Sequence, residues 1–191
     1  VRGWLRRAEH LLAGEPETPV RARIAAIRSY ERFLCGDMTA AASAAAEAIR
    51  LGEQWDDLPA VTLGKTATGR IQVLQGDVEA GLAQLDEVAA LLVSGEVDQL
   101  TTGIMFCELI CAAQGLLRYD LAREWTTTME RFGRTGAIGG VHGRCRVHQA
   151  ELMRLSGPAD EAERTALLAC EELRPWLRRE YGWPLAELGM I

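Results

Sequence analysis

The chain has 191 residues, 48% hydrophobic and 25% charged, a balance that supports one domain with a substantial core and excludes intrinsic disorder. Its 21 Lys and Arg stand against 27 Asp and Glu, a formal charge of −6, which argues against a diffuse electrostatic hold on a nucleic-acid backbone. Apolar runs such as Leu109 to Leu117 are too short to span a bilayer, and the opening Val1-Arg2-Gly3-Trp4-Leu5-Arg6-Arg7 is not of signal-peptide type. The five cysteines lack any CxxC and read as reduced thiols of a cytosolic protein.

Apolar residues recur at spacings of three and four, and period-two alternation never lasts, so the chain reads as all-α. Helices are expected near 2–13, 19–35, 37–52, 58–75, 77–93, 98–117, 119–133, 140–155, 158–174 and from 184 onward. Pro59, Pro158 and Pro184 fall where a first helical turn tolerates proline. Between the fourth and fifth helices, Gly76 suits a left-handed helix end and Asp77 can cap the next helix. That helix carries the stripe Val78, Leu82, Leu85, Ala89 and Leu92.

Four turn words repeat: Leu34-Cys35-Gly36-Asp37, Leu74-Gln75-Gly76-Asp77, Leu117-Arg118-Tyr119-Asp120 and Leu155-Ser156-Gly157-Pro158, in steps of 40, 43 and 38. Seven residues before the third letter of each stands a small residue: Ser29, Gly69, Ala112 and Ala150. Twelve after it come Ala48, Val88 and Ala169, while the third repeat lands on Arg131. This pattern resembles the tetratricopeptide repeat family, although the steps exceed its usual period of about 34 residues and require longer helices or loops. The phrases Phe106 to Gln114, Asp120 to Thr126 and Gly143 to Leu152 are similar to the long-repeat helical region of large bacterial LuxR-type and MalT-like transcriptional regulators. No GxxxxGK[ST] and no recognition helix accompany them here.

The resemblance implies an α-solenoid of antiparallel helix pairs, about four repeats with a half repeat at each end, filling residues 1–191 as one domain. It implies a non-catalytic interaction or effector-sensing module whose partner is a protein, a peptide, an adjoining domain or a small effector. In the family the groove-facing positions lie six and three residues before the small residue and one and four after it. Carried over, these give Arg23, Ala26, Tyr30 and Phe33, then Leu63, Thr66, Arg70 and Val73. The third repeat gives Phe106, Leu109, Ala113 and Leu116, and the fourth Arg144, Val147, Glu151 and Arg154. Of these, Arg23, Tyr30, Thr66, Arg70, Phe106, Arg144, Glu151 and Arg154 are the candidate binding residues. Arginines on both sides of an apolar middle suit an amphipathic segment carrying carboxylates.

Two other groupings compete with this reading. His142, Cys145 and His148 offer two imidazoles and a thiol, the basis of an alternative reading as a metal protein or enzyme. On a helix, however, the two histidines lie about 120° apart, and a closed zinc site needs a fourth ligand from elsewhere. Cys107 and Cys111, at i and i+4 on an apolar helix, read as buried packing. The glycine-rich stretch from Gly133 to Gly143 lacks both phosphate fingerprints, His10 is isolated, and no cofactor is expected. Because the repeat frame closes at neither end, Trp183, Leu185, Leu188, Met190 and Ile191 are expected to form an apolar patch used by a second copy or an adjoining domain.

Overall fold

The computed structural model describes residues 2–133, 139–174 and 182–191, and every regular element among them is a helix. In chain order these are α1 (Arg2–Leu11), α2 (Pro19–Leu34), α3 (Met38–Gln54), α4 (Leu58–Gln75), α5 (Val78–Val93), α6 (Gln99–Gly115), α7 (Tyr119–Gly133), α8 (Gly139–Ser156), α9 (Ala159–Leu173) and α10 (Gly182–Met190). Each matches a helix expected from the sequence with bounds within two residues. The glycine-rich stretch 134–138 and the side chains of His142 and Trp183 lie outside the described residues.

Local chemistry explains the boundaries. Asp37 and Asp57 accept hydrogen bonds from the backbone N–H groups of Ala40 and Ala60, satisfying donors that a helix start leaves open. Asp77 stands at the corresponding place before α5 without a side-chain cap bond, and Pro158 sits at the N-cap of α9, one residue before its first turn. Gly36 and Gly76 adopt φ of +78° and +93°. Their N–H groups donate to Phe33 and Val73, and those of Asp37 and Asp77 to Arg32 and Gln72, the paired bonds of a Schellman end.

The third turn repeats those bonds two residues earlier than its word suggests. Leu117 takes the left-handed role at φ +58°, with Leu117 N–H donating to Gln114 and Arg118 N–H to Ala113. The left-handed positions after α2, α4 and α6 are therefore 36, 76 and 117, in steps of 40 and 41; Gly157 follows 40 residues later without a left-handed φ, its N–H donating to Met153. Twelve residues on stand Ala48, Val88, Met129 and Ala169, all enclosed. The irregular third repeat is thus a misplaced frame: Met129 occupies the position counted as Arg131, and the buried Ile110 the one counted as Ala112.

The chain forms two compact units, residues 1–101 and 102–191. In the first, α2 packs on α3, α3 on α4 and α4 on α5, and α2 also meets α4. Turns of two or three residues leave consecutive helices no choice but to run antiparallel. Its core is built of small residues, with Ala25, Ala26 and Ala48 packed beside Leu63, and Ala22 against Leu51 and Ala60. Alanine at these contacts lets helix backbones approach closely. At the α4–α5 crossing even a methyl is too large: a Cβ on Gly81 would lie 2.7 Å from the Gly69 carbonyl oxygen. In the second unit α8 packs on α7 and α9, and α10 on α8 and α9, around Val147, Ala169 and Leu173. None of the described helices is long and apolar enough to cross a membrane.

Candidate functional site

The odd-numbered helices α3 and α5 cover one side of α2 and α4, so the remaining face of α2 and α4 is where the first unit can offer side chains. Tyr30 and Phe33 lie one turn apart on α2 with rings stacked at 6.4 Å, and the Arg70 guanidinium of α4 sits 4.9 Å above the Phe33 ring. Tyr30 is 39% exposed, so this cation–aromatic group reaches the surface. Arg23, also exposed, holds the buried Asp57 carboxylate at 2.7 Å, and that bond raises the arginine pKa. Because Asp57 also caps α4, Arg23 is anchored to a helix start. Thr66 is enclosed and donates to the Thr62 carbonyl, so it offers no surface.

In the second unit the corrected frame moves the inner positions of α6 by two residues, from Phe106, Leu109, Ala113 and Leu116 to Ile104, Cys107, Cys111 and Gln114. Burial agrees. Phe106, Leu109 and Ala113 are fully enclosed and Leu116 half-buried, whereas Ile104, Cys111 and Gln114 are half-buried and only Cys107 of the new set is enclosed. Phe106 is therefore a core residue and leaves the candidate surface. Gln114 donates to Glu151 at 2.7 Å, and Cys111 Sγ lies 3.8 Å from His148 Nε2. Both pairs are 37 residues apart, the separation that also joins Phe33 to Arg70 in the first unit. The same separation thus recurs between α2 and α4 and between α6 and α8, although Arg23 and Asp57, at the start of α4, are 34 apart.

Charge on α8 is answered locally. Arg154 binds Glu187 of α10 at 2.5 Å, with Glu187 almost fully enclosed, and the contact raises the arginine pKa. Burial raises the Glu151 pKa, with the nearby Glu187 charge adding and Arg154 opposing. Arg144 is half-buried and engaged by neighbouring groups. Elsewhere, a cleft lined by Arg28, Arg32, Glu47 and Arg50 resembles an anion site only by composition. Arg28 is bound to Glu9, Arg32 to Glu31 and Asp37, and Arg50 to Glu47 and Glu17.

The same register unites two groupings that sequence reasoning weighed apart. Cys107 lies near Cys145 and His148. The Cys145 contact and then burial push its thiol well above the usual range, with His148 opposing. Cys145 Sγ meets Met129 Sδ at 3.1 Å. Cys107, Cys145 and His148 are enclosed and Cys111 is half-buried, and no three His, Cys, Asp or Glu among the described residues form a group that could hold a metal ion. The signal was present in the sequence, since Cys111 and His148 differ by the same 37 residues as Gln114 and Glu151. Comparison of the chain with protein-family models, curated proteins and solved structures returns no match.

Proposed function

We propose that the chain is a non-catalytic protein-interaction module of tetratricopeptide-like repeats, the helical region of a LuxR-type transcriptional regulator or a derivative of one, acting in the cytoplasm. The observation that carries this reading is the 37-residue separation that recurs between contacting side chains of α2 and α4 (Phe33–Arg70) and of α6 and α8 (Cys111–His148, Gln114–Glu151), as stacked helix pairs would produce. Within it the Tyr30, Phe33 and Arg70 group supplies a rigid aromatic surface with a guanidinium, suited to an amphipathic segment bearing carboxylates. Aromatic side chains and arginine are the residue types that carry most binding energy at protein interfaces, which is why this group is assigned ahead of the aliphatic positions.

Affinity capture with the chain as bait, followed by measured affinity for the captured partner, tests the reading. Tyr30→Ala and Arg70→Glu are expected each to weaken binding at least tenfold, about 1.4 kcal/mol, with the melting temperature nearly unchanged for these surface positions. Wild-type affinity in both variants rejects the assigned face, and turnover of a substrate by the purified chain rejects the non-catalytic reading.

A further inference from the structure

None of the residues of α1 is buried, and the helix is tied to α2 by the Arg2–Glu31 and Glu9–Arg28 ion pairs. Trp4, 76% exposed, is the most open large apolar side chain among the described residues, and Leu11 stands two turns on along the same face at 68%. Arg7 lies between them, and Arg6 and His10 continue the exposed side. Neither Arg6 nor Arg7 makes an ion pair with another described residue. α9 presents the converse. Its inner face is closed by Ala162, Ala166, Ala169 and Leu173, while Leu167 and Leu168 stay exposed. Glu171, one turn on, lies between the two leucines; Glu163 is one turn before Leu167 and Glu161 two turns before Leu168. These three carboxylates are exposed and pair with no other described residue, whereas Asp160 is held by Arg164 and Glu172 by Arg146. We propose that α1 of one copy docks on α9 of a second copy, joining chains head to tail.

Sign and spacing select this occupant. Arg7 between Trp4 and Leu11 meets Glu171 between Leu167 and Leu168, so one docking covers both apolar pairs and sets opposite charges beside them. The apolar pairs supply the attraction, and the charges fix partner and orientation, since exposed ion pairs add little alone. Tryptophan and arginine are enriched where interfaces hold their binding energy. An anionic membrane also attracts a basic helix, but it repels a chain of net charge −6 whose α9 carries unpaired carboxylates. The two faces are different surfaces, so the contact is heterologous, and growth continues into a ring or a filament instead of ending at a two-fold axis. One helix on another is a small contact, so association is weak and rises with concentration. Tyr30, Phe33 and Arg70 take no part, and the contact stands independently of the interaction face on α2 and α4.

The test is sedimentation velocity on the full chain, from micromolar to millimolar, at low and high salt. Reversible association that weakens as salt rises is the expected result. Trp4→Ala, and Leu167→Ala together with Leu168→Ala, are each expected to weaken it at least tenfold with little change in melting temperature. Val93→Ala, which trims an exposed side chain outside both faces, should leave it unchanged. Mixing the Trp4→Ala chain with the double leucine variant should restore a one-to-one dimer, because one intact α1 then meets one intact α9. Arg7→Glu and Glu171→Arg should each weaken association and, placed on one chain, recover it. The proposal is overturned by a chain that stays monomeric throughout, by association that survives Trp4→Ala, or by a mixture of the two variants that stays monomeric. Loss of association in Tyr30→Ala but not in the double leucine variant overturns it too, as does binding of the monomer to phosphatidylserine vesicles that Trp4→Ala abolishes.

Discussion

Leu117 follows α6 at φ +58°, where Gly36 and Gly76 serve the equivalent turns. A left-handed conformation brings Cβ against the following carbonyl and costs a non-glycine residue about 1–2 kcal/mol, partly offset by the greater freedom glycine loses on folding. The Leu117 side chain is 70% exposed and returns little packing for that cost. Leu117→Gly is therefore expected to stabilise the chain by about 0.5–1 kcal/mol, measured as a higher urea midpoint. An unchanged or lower midpoint shows that the leucine repays its strain. Glu151 makes the opposite kind of residue-scale argument. Burial first, then the Glu187 charge, raise its pKa, so the folded chain holds a proton there more tightly than the unfolded chain does. Its contribution to stability is greatest below the ordinary glutamate pKa and is lost as pH rises through the raised value. Glu151→Gln keeps an oxygen to accept from Gln114 and carries no charge. It is expected to raise the neutral-pH midpoint and to remove that part of the pH dependence, as read from urea melts at pH 7 and pH 5.

The elements themselves were readily legible, because caps, turns and three-four spacing agree at nearly every boundary. What failed was the frame of one helix. Asp120 ends the third word as Asp37 and Asp77 end the first two, so the words align on aspartate, while the backbone turns at Leu117. The reason is that α6 is apolar on almost every side. A helix with no polar stripe gives no indication of which face points inward, so the sequence puts Phe106 on the binding face although it belongs to the core. On α4 the structure sets Arg70 over the Phe33 ring of α2 and encloses Thr66, so even there one of the two candidate positions lies inside. The α4–α5 crossing shows how tightly such a face is held. A Cβ on Gly81 would lie 2.7 Å from Gly69 O and 2.9 Å from Val73 N, both backbone atoms that cannot turn aside. Gly81→Ala is expected to cost about 1–3 kcal/mol, the range for overpacking, despite the better helix propensity of alanine. Gly115→Ala, with nothing within 4 Å of its Cβ, serves as the control and should leave stability unchanged or raised. Equal effects in the two variants show that α4 and α5 can separate at no cost.

Within each compact unit, contacts join helices to neighbours in sequence, as α2 to α3 and α8 to α9, and in places to the helix two along, as α2 to α4 and α8 to α10. Stability in such an array is a sum of local terms and neighbour interfaces, so damage should decay along the chain instead of spreading evenly. A crowded Gly81 supplies a defined local injury inside residues 1–101, one of the two compact units. Hydrogen exchange on Gly81→Ala is expected to show the largest loss of protection in α4 and α5, a smaller loss in α3 and α2, which pack on α4, and the least in α8 and α9 of the other unit. The wild-type chain should already exchange at different rates in the two units, because amides protected only by sub-global opening report the local free energy. An equal loss of protection from α2 through α9 means that the 191 residues unfold as one cooperative body, and the repeat then describes the ancestry of the sequence but not the way the chain holds together.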